Sequence, residues 1–314
     1  MPAAPSCCVS VDMDGVRRYA AIHGAPDPGA GAWDPVWSVA LGRFLELFDA
    51  AGVRATFFCV GEDLEQEEHA ALALRVVEAG HEIASHSHEH RYDLRARGLA
   101  AIRADLEAAE RAIEAATGRR PRGFRAPGYN LDPGIAGVLA ERGYDYDASL
   151  FPCPPYWAAK GLIMARMRLS GAPSRSQMTL PHTLTAPTTP YLADPTRPWR
   201  RAPSGQRGLW EIPMSLVPGV RFPLIGTSLH LLGVGGLRAL LPAIRRSHPE
   251  VLSLEFHGID MLDGADAGLP GWLSARQPDL RVSAGDKRRL YAGIFELLKA
   301  HYQHRPLIES LPRP

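Results

Sequence analysis

The chain has 314 residues and a formal net charge of +1, from 35 basic and 34 acidic side chains. This near-neutral balance argues against a nucleic-acid-binding protein, which normally carries a basic face. The N-terminus lacks the basic and apolar regions of a secretory signal, and prolines and glycines interrupt the apolar stretch at 212–244, so we expect no membrane span.

The four cysteines are Cys7, Cys8, Cys59 and Cys153, and they form no CxxC pair. We interpret them as reduced thiols, which together with the missing signal predicts a cytoplasmic protein. Cys7 and Cys8 are adjacent in a predicted strand and should face opposite sides of it. The length suits one large α/β domain covering 1–314.

Short apolar strands alternate with amphipathic helices along most of the chain. Strands are predicted at 7–11, 54–60, 122–125, 209–214 and 251–256, with a terminal strand at 307–311. A further strand is predicted in the stretch 80–91, with Ile83 and Ala84 near its end. Helices are predicted at 36–51, 64–79, 93–117, 133–142, 235–247 and 283–302. This alternation predicts parallel strands joined by right-handed crossovers.

The segment 152–208 departs from this pattern, because it is rich in Pro, Ser, Thr and Arg. We expect an irregular insertion within the single domain. Long irregular segments in compact domains are usually functional caps or lids, or mobile regions.

The segment Gly80–Arg91 contains four histidines in the order His81, His86, His88 and His90. His86 and His90 are four residues apart, so one helical turn would place both rings on the same face, about 5–6 Å apart at Cβ. That spacing suits two nitrogen ligands of one divalent metal ion. His81 and His88 are interpreted as ordinary structural residues, and a metal site would need a carboxylate from elsewhere.

Asp12 and Asp14 follow the first predicted strand. In an extended chain they project the same way, and burying both is costly unless they are paired or bind a cation. One could hold a metal while the other acts as a base; a turn with solvated carboxylates is the simpler alternative.

Three further polar residues, Arg125, Asp147 and His257, also come at the carboxyl ends of predicted strands. The carboxyl ends of parallel strands meet at one rim of a barrel. We therefore expect these residues to converge with the aspartates and histidines.

Four motifs, V-D-M-D-G, H-S-H-E-H, R-A-P-G-Y and E-F-H-G-I-D, occur in this order. The series resembles that of the polysaccharide deacetylase (NodB-homology, carbohydrate esterase 4) family, over roughly 7–150 and 209–260. The resemblance implies a distorted (β/α)7-type TIM-like barrel, on which 152–208 forms a long irregular cap insertion without a counterpart. Met13 separates two aspartates that are adjacent in the usual family motif. This variant resembles a cytoplasmic branch with certain peptidoglycan deacetylases and allantoinase-like proteins.

The resemblance also implies a metal site. Asp14, His86 and His90 would hold a divalent cation, and zinc suits this ligand set, although cobalt, nickel or iron would fit it too.

The catalytic roles follow from the same motifs. Asp12 would be the general base, Arg125 would orient it, and His257 would protonate the leaving amine, supported by Asp147 or Asp260. A backbone N–H near Gly128 or Tyr129 would stabilise the oxyanion.

Three aromatic residues, Trp33, Tyr129 and Trp210, are candidates for stacking on a sugar, with core packing as the alternative. Trp33 lies in the loop after the first motif, Tyr129 in R-A-P-G-Y, and Trp210 in a predicted strand.

The leading functional hypothesis is a metal-dependent amide hydrolase that removes an acetyl group from an amino sugar or glycan precursor. A lipid- or phosphate-linked sugar is an alternative substrate, since the cap is rich in arginine and 217–232 is apolar. Two further hypotheses are an allantoinase-like hydrolase of ureides and a sugar- or metal-binding protein on a retired scaffold. The retention of both Asp12 and His257 argues against a protein that only binds. The sequence is also compatible with a homo-oligomer.

Overall fold

A parallel sheet forms the framework of the protein, and the computed structural model describes residues 4–29, 33–171, 173–205 and 208–312. The strands in chain order are β1 Ser6–Asp12, β2 Ala55–Cys59, β3 Glu82–Ser85, β4 Gly123–Phe124, β5 Tyr146–Asp147, β6 Tyr191–Asp194, β7 Arg197–Arg201, β8 Leu209–Glu211, β9 Leu216–Val217, β10 Phe222–Pro223, β11 Val251–His257 and β12 Gln303–His304.

Seven of these strands lie side by side and parallel, in the order β11, β1, β2, β3, β4, β5, β8. Within the described residues the ladder does not close between β8 and β11. The segment between them bridges the gap, since the Ser215 N–H donates to the Ser253 carbonyl at 3.0 Å and Ile225 pairs with Glu255. The predicted distorted (β/α)7-type barrel is confirmed.

Helices follow most of the parallel strands. Those of the α type are α1 Val16–His23, α2 Leu41–Ala51, α3 Glu67–Glu78, α4 Leu99–Thr117, α5 Pro133–Glu141, α6 Pro154–Leu169, α7 Gly226–Ser247, α8 Gly271–Arg276 and α9 Ala284–Lys299. The predicted helices correspond to α2, α3, α4, α5, α7 and α9, whereas α1, α6 and α8 were not predicted.

Successive side chains along each strand alternate between the barrel interior and the outer side, which is covered by helices. Val9 and Phe256 belong to the outer core cluster under the helices, whereas Cys8 belongs to a cluster inside the barrel. Cys7 lies with the outer cluster, as expected for neighbours on a strand. The residues that alternate with the outer set therefore point inward, and Asp12 and His257 are the last inward-facing residues of their strands.

The cap segment 152–208 contains regular structure, contrary to the expectation of an irregular insertion. Two prolines occupy the first turn of α6, where their fixed φ favours a helix. The β6–β7 hairpin then pairs antiparallel with β8 and extends the sheet. The proline and arginine content concealed this hairpin, whose strands alternate only weakly.

The predicted terminal strand at 307–311 is wrong. Leu307–Ser310 forms a 3₁₀ turn, and β12 pairs with β1 a few residues earlier. The Leu307 N–H donates to Thr56 Oγ1 at 2.9 Å, so this backbone group is satisfied by a side chain rather than a strand.

Among the described residues, α7 is long and apolar enough to cross a bilayer by length and composition. It is kinked at Gly233 and contains Pro242. Leu237 and Ile244 are buried in the outer core together with Ile294 of α9. This packing is that of a crossover helix, so composition alone is weak evidence for a span.

Candidate active site

Polar side chains converge at the carboxyl ends of β1, β3, β4 and β11. Asp12 ends β1, His86 follows β3, Arg125 follows β4 and His257 ends β11. The first three are almost completely buried, and the His257 side chain is 29% exposed. The predicted convergence at one rim is therefore present in the structure.

Asp14, His86 and His90 form the first group at this rim. Asp14 Oδ1 lies 3.0 Å from His90 Nε2 and 3.4 Å from His86 Nε2. The two imidazole centroids are 4.9 Å apart. Each residue thus offers one ligand atom to a common point, and all three are buried.

A turn brings His86 and His90 together, and the expected helical turn is wrong. Ser87 and His90 both have positive φ, 64° and 54°, which a right-handed helix excludes. The Ser87 hydroxyl accepts a hydrogen bond from the His90 N–H at 3.0 Å and stabilises this turn.

Hydrogen bonding prepares His86 to act as a ligand. Its Nδ1 donates to the Arg125 carbonyl at 2.8 Å, which leaves the Nε2 lone pair facing Asp14. Such a bond from the distal nitrogen is typical of metal-binding histidines.

The remaining atoms of this group are unsatisfied. Asp14 Oδ1 and both ring nitrogens of His90 are buried without a hydrogen bond to the described part of the chain. Burial lowers the pKa of His90 and favours the neutral, ligating ring. Burial alone would raise the pKa of Asp14, but the imidazoles of His90 and His86 lower it well below its usual range. Converging lone pairs without donors fit a divalent cation.

Arg125 fixes the position of Asp12. Its Nη1 donates to Asp12 Oδ1 at 2.5 Å, its Nη2 to Ser10 Oγ at 3.0 Å and its Nε to the Ala148 carbonyl at 2.9 Å. The guanidinium also stacks 4.1 Å from the centre of the Phe58 ring. The second carboxylate oxygen of Asp12, Oδ2, lies 3.9 Å from His86 Nε2 and so faces the ligand group.

His257 lies close to Asp12 and contacts Glu255. Its Nε2 lies 3.6 Å from Glu255 Oε1, an atom that also accepts a hydrogen bond from the Tyr129 hydroxyl at 2.5 Å. Burial alone would lower the pKa of His257, but nearby carboxylates, first Glu255 and then Asp12, raise it to about 9. The ring is therefore protonated at neutral pH and able to donate a proton.

The structure gives Asp147 and Asp260 other partners than the His257 ring. Asp147 accepts hydrogen bonds from the Ser149 hydroxyl at 2.6 Å and the Ser149 N–H at 2.9 Å. Asp260 accepts from the backbone N–H of His257 at 2.8 Å and thereby fixes the turn rather than the ring. The carboxylate in ionic contact with the His257 ring is Glu255, which corrects the sequence-based choice.

Asp147 instead belongs to a buried acid pair with Glu211. Burial and the neighbouring Asp147 raise the pKa of Glu211 well above its usual range. Glu211 Oε1 accepts a hydrogen bond from the Leu150 N–H at 2.9 Å. The pair holds the strand ends of β5 and β8 together.

The predicted substrate-binding residues have separate positions. The Tyr129 N–H donates to the Ala126 carbonyl at 2.9 Å, so it is engaged within the turn rather than available to an oxyanion. Gly128 has a φ of 61°, and a Cβ there would lie 2.9 Å from the Tyr92 ring. Trp33 is 50% exposed and lies against Gly268, beside a small cleft of about 130 Å³. Trp210 packs against the inner core cluster.

A larger cleft of about 600 Å³ opens beside His90 and Tyr92. Five arginines line it, namely Arg17, Arg18, Arg91, Arg97 and Arg175. Arg175 comes from the cap, and its backbone N–H donates to the Ala21 carbonyl at 3.1 Å. The cleft thus lies between the barrel and the cap. Its arginines are donors for anionic groups, and four acidic residues also line it, namely Asp27, Glu62, Glu89 and Asp93.

Asp34 supports the loop that carries Asp14. Its two oxygens accept hydrogen bonds from the Val16 and Val36 N–H groups, each at 2.9 Å. A Cβ at Gly15 would lie only 2.1 Å from Asp34 Oδ2, so this close approach requires glycine.

Sequence reasoning overlooked Glu255, Tyr92 and Tyr156. Glu255 precedes His257 by two residues on one strand, and this alternation could have shown that both face inward. Tyr92 packs edge-on against His90, with 4.9 Å between centroids, and Tyr156 of the cap lies 6.1 Å from Tyr129. Tyr156 carries no local signal, because its contact joins distant segments, whereas the position of Tyr92 two residues after His90 was a local signal.

Comparisons with known proteins agree with this architecture. The family model for polysaccharide deacetylase matches residues 31–146. The chain is 32% identical over 149 residues to the peptidoglycan deacetylase-like protein FGM2 of Gibberella zeae, a match covering 45% of this chain and 43% of that protein. It is 26% identical over 155 residues to the peptidoglycan deacetylase of Helicobacter pylori, covering 48% of this chain and 52% of that protein. The chain thus spans about half the length of the curated relatives it matches.

A solved structure resembles the whole chain. A candidate polysaccharide deacetylase from Mycobacterium smegmatis aligns with a TM-score of 0.54 and 22% identity, covering 100% of this chain and 96% of that one. At this level of identity the match establishes the shared fold.

Proposed function

Because the chain belongs to the polysaccharide deacetylase (NodB-homology, carbohydrate esterase 4) family, we propose that it is a metal-dependent amide hydrolase. It removes an acetyl group from the nitrogen of an amino sugar or glycan precursor. The observation that carries this proposal is that Asp12 lies close both to the three-residue ligand group, 3.9 Å from His86 Nε2, and to the His257 ring, whose raised pKa favours protonation.

Asp14, His86 and His90 would hold the divalent cation, and their two nitrogens and one oxygen suit zinc. When bound, the cation supplies Lewis-acid polarisation of the amide carbonyl and makes water more acidic. Asp12 takes a proton from the attacking water through its Oδ2, while Arg125 holds Oδ1. Because Arg125 occupies Oδ1, Oδ2 is the oxygen of Asp12 that is free to accept the proton.

His257 completes the reaction as the general acid. Water adds to the carbonyl carbon, the carbon–nitrogen bond breaks, and the leaving nitrogen takes the proton of His257. Glu255 favours the protonated ring before this step, and the Tyr129 hydroxyl holds the Glu255 carboxylate in place. The products are acetate and the free amine.

Acetate release measured together with metal content tests this function. The purified protein is depleted with a chelator, reloaded with zinc or cobalt, and assayed on N-acetylglucosamine oligomers and on N-acetylated sugar phosphates. We expect activity only in the reloaded protein. Metal binding without amide hydrolysis on any of these substrates would instead identify a binding protein on this scaffold.

A ureide hydrolase is distinguished by the same preparation. Turnover of allantoin that persists after chelation would contradict the deacetylase proposal, because the Asp14–His86–His90 group would then have no role in the reaction.

Sugars carrying a phosphate are favoured within this substrate class by the arginine-lined cleft beside His90. Acidic neighbours pair with several of these arginines, including Arg17 with Asp27 and Arg97 with Asp93. A phosphate group would compete for such donors, since arginine binds phosphate through two parallel hydrogen bonds. A lower KM for the phosphorylated sugar than for the neutral one supports this preference.

We also propose a cytoplasmic location. All four cysteines are buried and free in the structure, which suits a reducing compartment. Recovery of the protein outside the cytoplasmic fraction of its host would overturn this proposal.

A further inference from the structure

The cap helix α6 (Pro154–Leu169) is apolar on both of its faces. The face toward the barrel carries half-buried side chains such as Tyr156, Trp157 and Met164. The opposite face exposes large aliphatic side chains, with Leu162 at 73%, Ile163 at 59% and Leu169 at 90%. No residue of α6 is buried against the described part of the chain.

Helical spacing places these exposed residues together. Leu162 and Leu169 are seven residues apart, so they lie on one side of the helix with Ile163 beside them. Soluble proteins seldom expose several large aliphatic side chains side by side without a function. The outer face of α6 is therefore the kind of exposed apolar surface that binds something.

The charge of α6 indicates what kind of partner binds its outer face. The exposed side of α6 carries Arg166 and Arg168, and the helix has no acidic residue. A second copy of the same helix would bring like charges together across a two-fold contact. A membrane surface with anionic headgroups offers both a place for the apolar face and a complementary charge.

We propose that the outer face of α6 docks on an anionic lipid surface. The inner face of the same helix reaches the candidate active site, since the Lys160 ammonium donates to the Gly128 carbonyl at 3.4 Å and the Tyr156 ring packs near Tyr129. The chain then continues from α6 to Arg175 on the arginine-lined cleft. A docked cap thus places that cleft near the lipid headgroups.

This geometry defines a substrate class, which rests on the proposed deacetylase function. An amino sugar joined through phosphate to a lipid carrier would leave its tail in the bilayer, put its phosphate on the cleft arginines and present its acetamido group to Asp12. The chemistry requires an N-acylated sugar on an anionic lipid, without specifying the sugar.

Vesicle sedimentation tests the docking directly. The full chain is mixed with vesicles of phosphatidylcholine alone or of phosphatidylcholine with phosphatidylglycerol. We expect binding to the anionic vesicles and little to the neutral ones. We expect Leu162→Glu combined with Ile163→Glu to weaken binding about tenfold or more, because two charges replace the inserted side chains.

Leu74→Glu is the matched control, since Leu74 is 41% exposed on α3, outside the cap. It should bind anionic vesicles like the unaltered chain. Equal binding by the α6 variant, or none by the unaltered chain, overturns the proposal. A dimer of the unaltered chain that the α6 substitutions convert to monomer, seen by light scattering, also overturns it, because a second copy then covers the face.

Failure of the enzymatic proposal has a different signature. The α6 variant should release acetate from a water-soluble acetamido sugar at the unaltered rate, since Leu162 and Ile163 face away from the site. Vesicle binding without any metal-dependent acetate release overturns the substrate class and the deacetylase function, while docking stands.

Discussion

Two groups of buried carboxylates lie at the same rim of this barrel, and they differ in how their oxygens are used. Both oxygens of Asp147 accept hydrogen bonds from Ser149, and burial together with Asp147 raises the pKa of the adjacent Glu211. Asp14 Oδ1 instead faces two imidazole nitrogens without a hydrogen bond to the described chain. Burial and a shifted pKa are common to both groups, so neither property alone identifies a functional site. Glu211 Oε2 is also buried without a hydrogen bond to the described chain, but it is a single atom, whereas Asp14 Oδ1 and His90 Nε2 both lack one and converge on a common point with His86.

The largest effect is expected at His90, a member of the ligand group. We expect His90→Ala to lose the bound metal and to lower acetate release by roughly three orders of magnitude or more, because one ligand and its orienting contacts disappear. Metal content per chain and initial rates measure the two effects. His88→Ala, in the same loop, should retain both metal and activity, and equal losses in the two variants would show that the loop is merely destabilised.

Asp12→Asn tests the base next to the ligand group. We expect kcat to fall about 10²–10⁴-fold, since an amide cannot accept the proton, while metal content stays unchanged. Circular dichroism and metal analysis establish that the variant is folded and loaded. Retention of normal kcat would remove Asp12 from the mechanism.

Glu255→Gln should have a smaller effect on rate and a specific effect on pH dependence. The Glu255 carboxylate raises the pKa of His257, so activity that needs the protonated ring declines as pH rises through about 9. Without that charge the His257 pKa falls, and the alkaline limb of kcat/KM moves to lower pH. We expect about a tenfold lower rate near pH 8. An alkaline limb that does not move contradicts the assignment of Glu255 as the partner of His257.

The smallest effect is expected at the structural pair. Glu211→Gln replaces a carboxyl whose raised pKa favours the neutral form with a neutral amide of similar shape, so acetate release at neutral pH should change less than about twofold. The raised pKa means that folded Glu211 keeps a proton that the unfolded chain releases above about pH 4.3. The free energy of unfolding of the unaltered chain should therefore fall as pH rises from about 4.3 toward the raised pKa of Glu211. Glu211→Gln should remove this contribution to the pH dependence of stability. Urea unfolding at pH 5 and pH 8 measures the difference.

Much of the barrel could be predicted from sequence because its strands and helices have strong local periodicity. The rim residues Asp12, His86 and Arg125 could be located because parallel strands all end at one side of the sheet. The conformation that joins His86 and His90 could not, since helical spacing and a turn with positive φ at Ser87 both bring positions four apart together.

Contacts between distant segments account for the other errors. The choice of Asp147 or Asp260 as the partner of His257 depended on which carboxylate the fold brings close, and Glu255 occupies that position. The cap hairpin was also missed, because β6 is stabilised by pairing with β8, and β7 by pairing with β6, rather than by a pattern of their own.

The close packing of Asp34 against Gly15 has a consequence for altering this chain. The two positions are nearly twenty residues apart in sequence, yet the Asp34 carboxylate occupies the space that a side chain at position 15 would need. A library randomised at residue 15 alone and selected for folded protein should therefore recover almost only glycine. A designer who transplants the V-D-M-D-G segment onto another barrel must carry the acidic loop with it. Without that loop, the backbone next to Asp14 would lose the hydrogen bond to Asp34 that holds the Asp14 carboxylate in position.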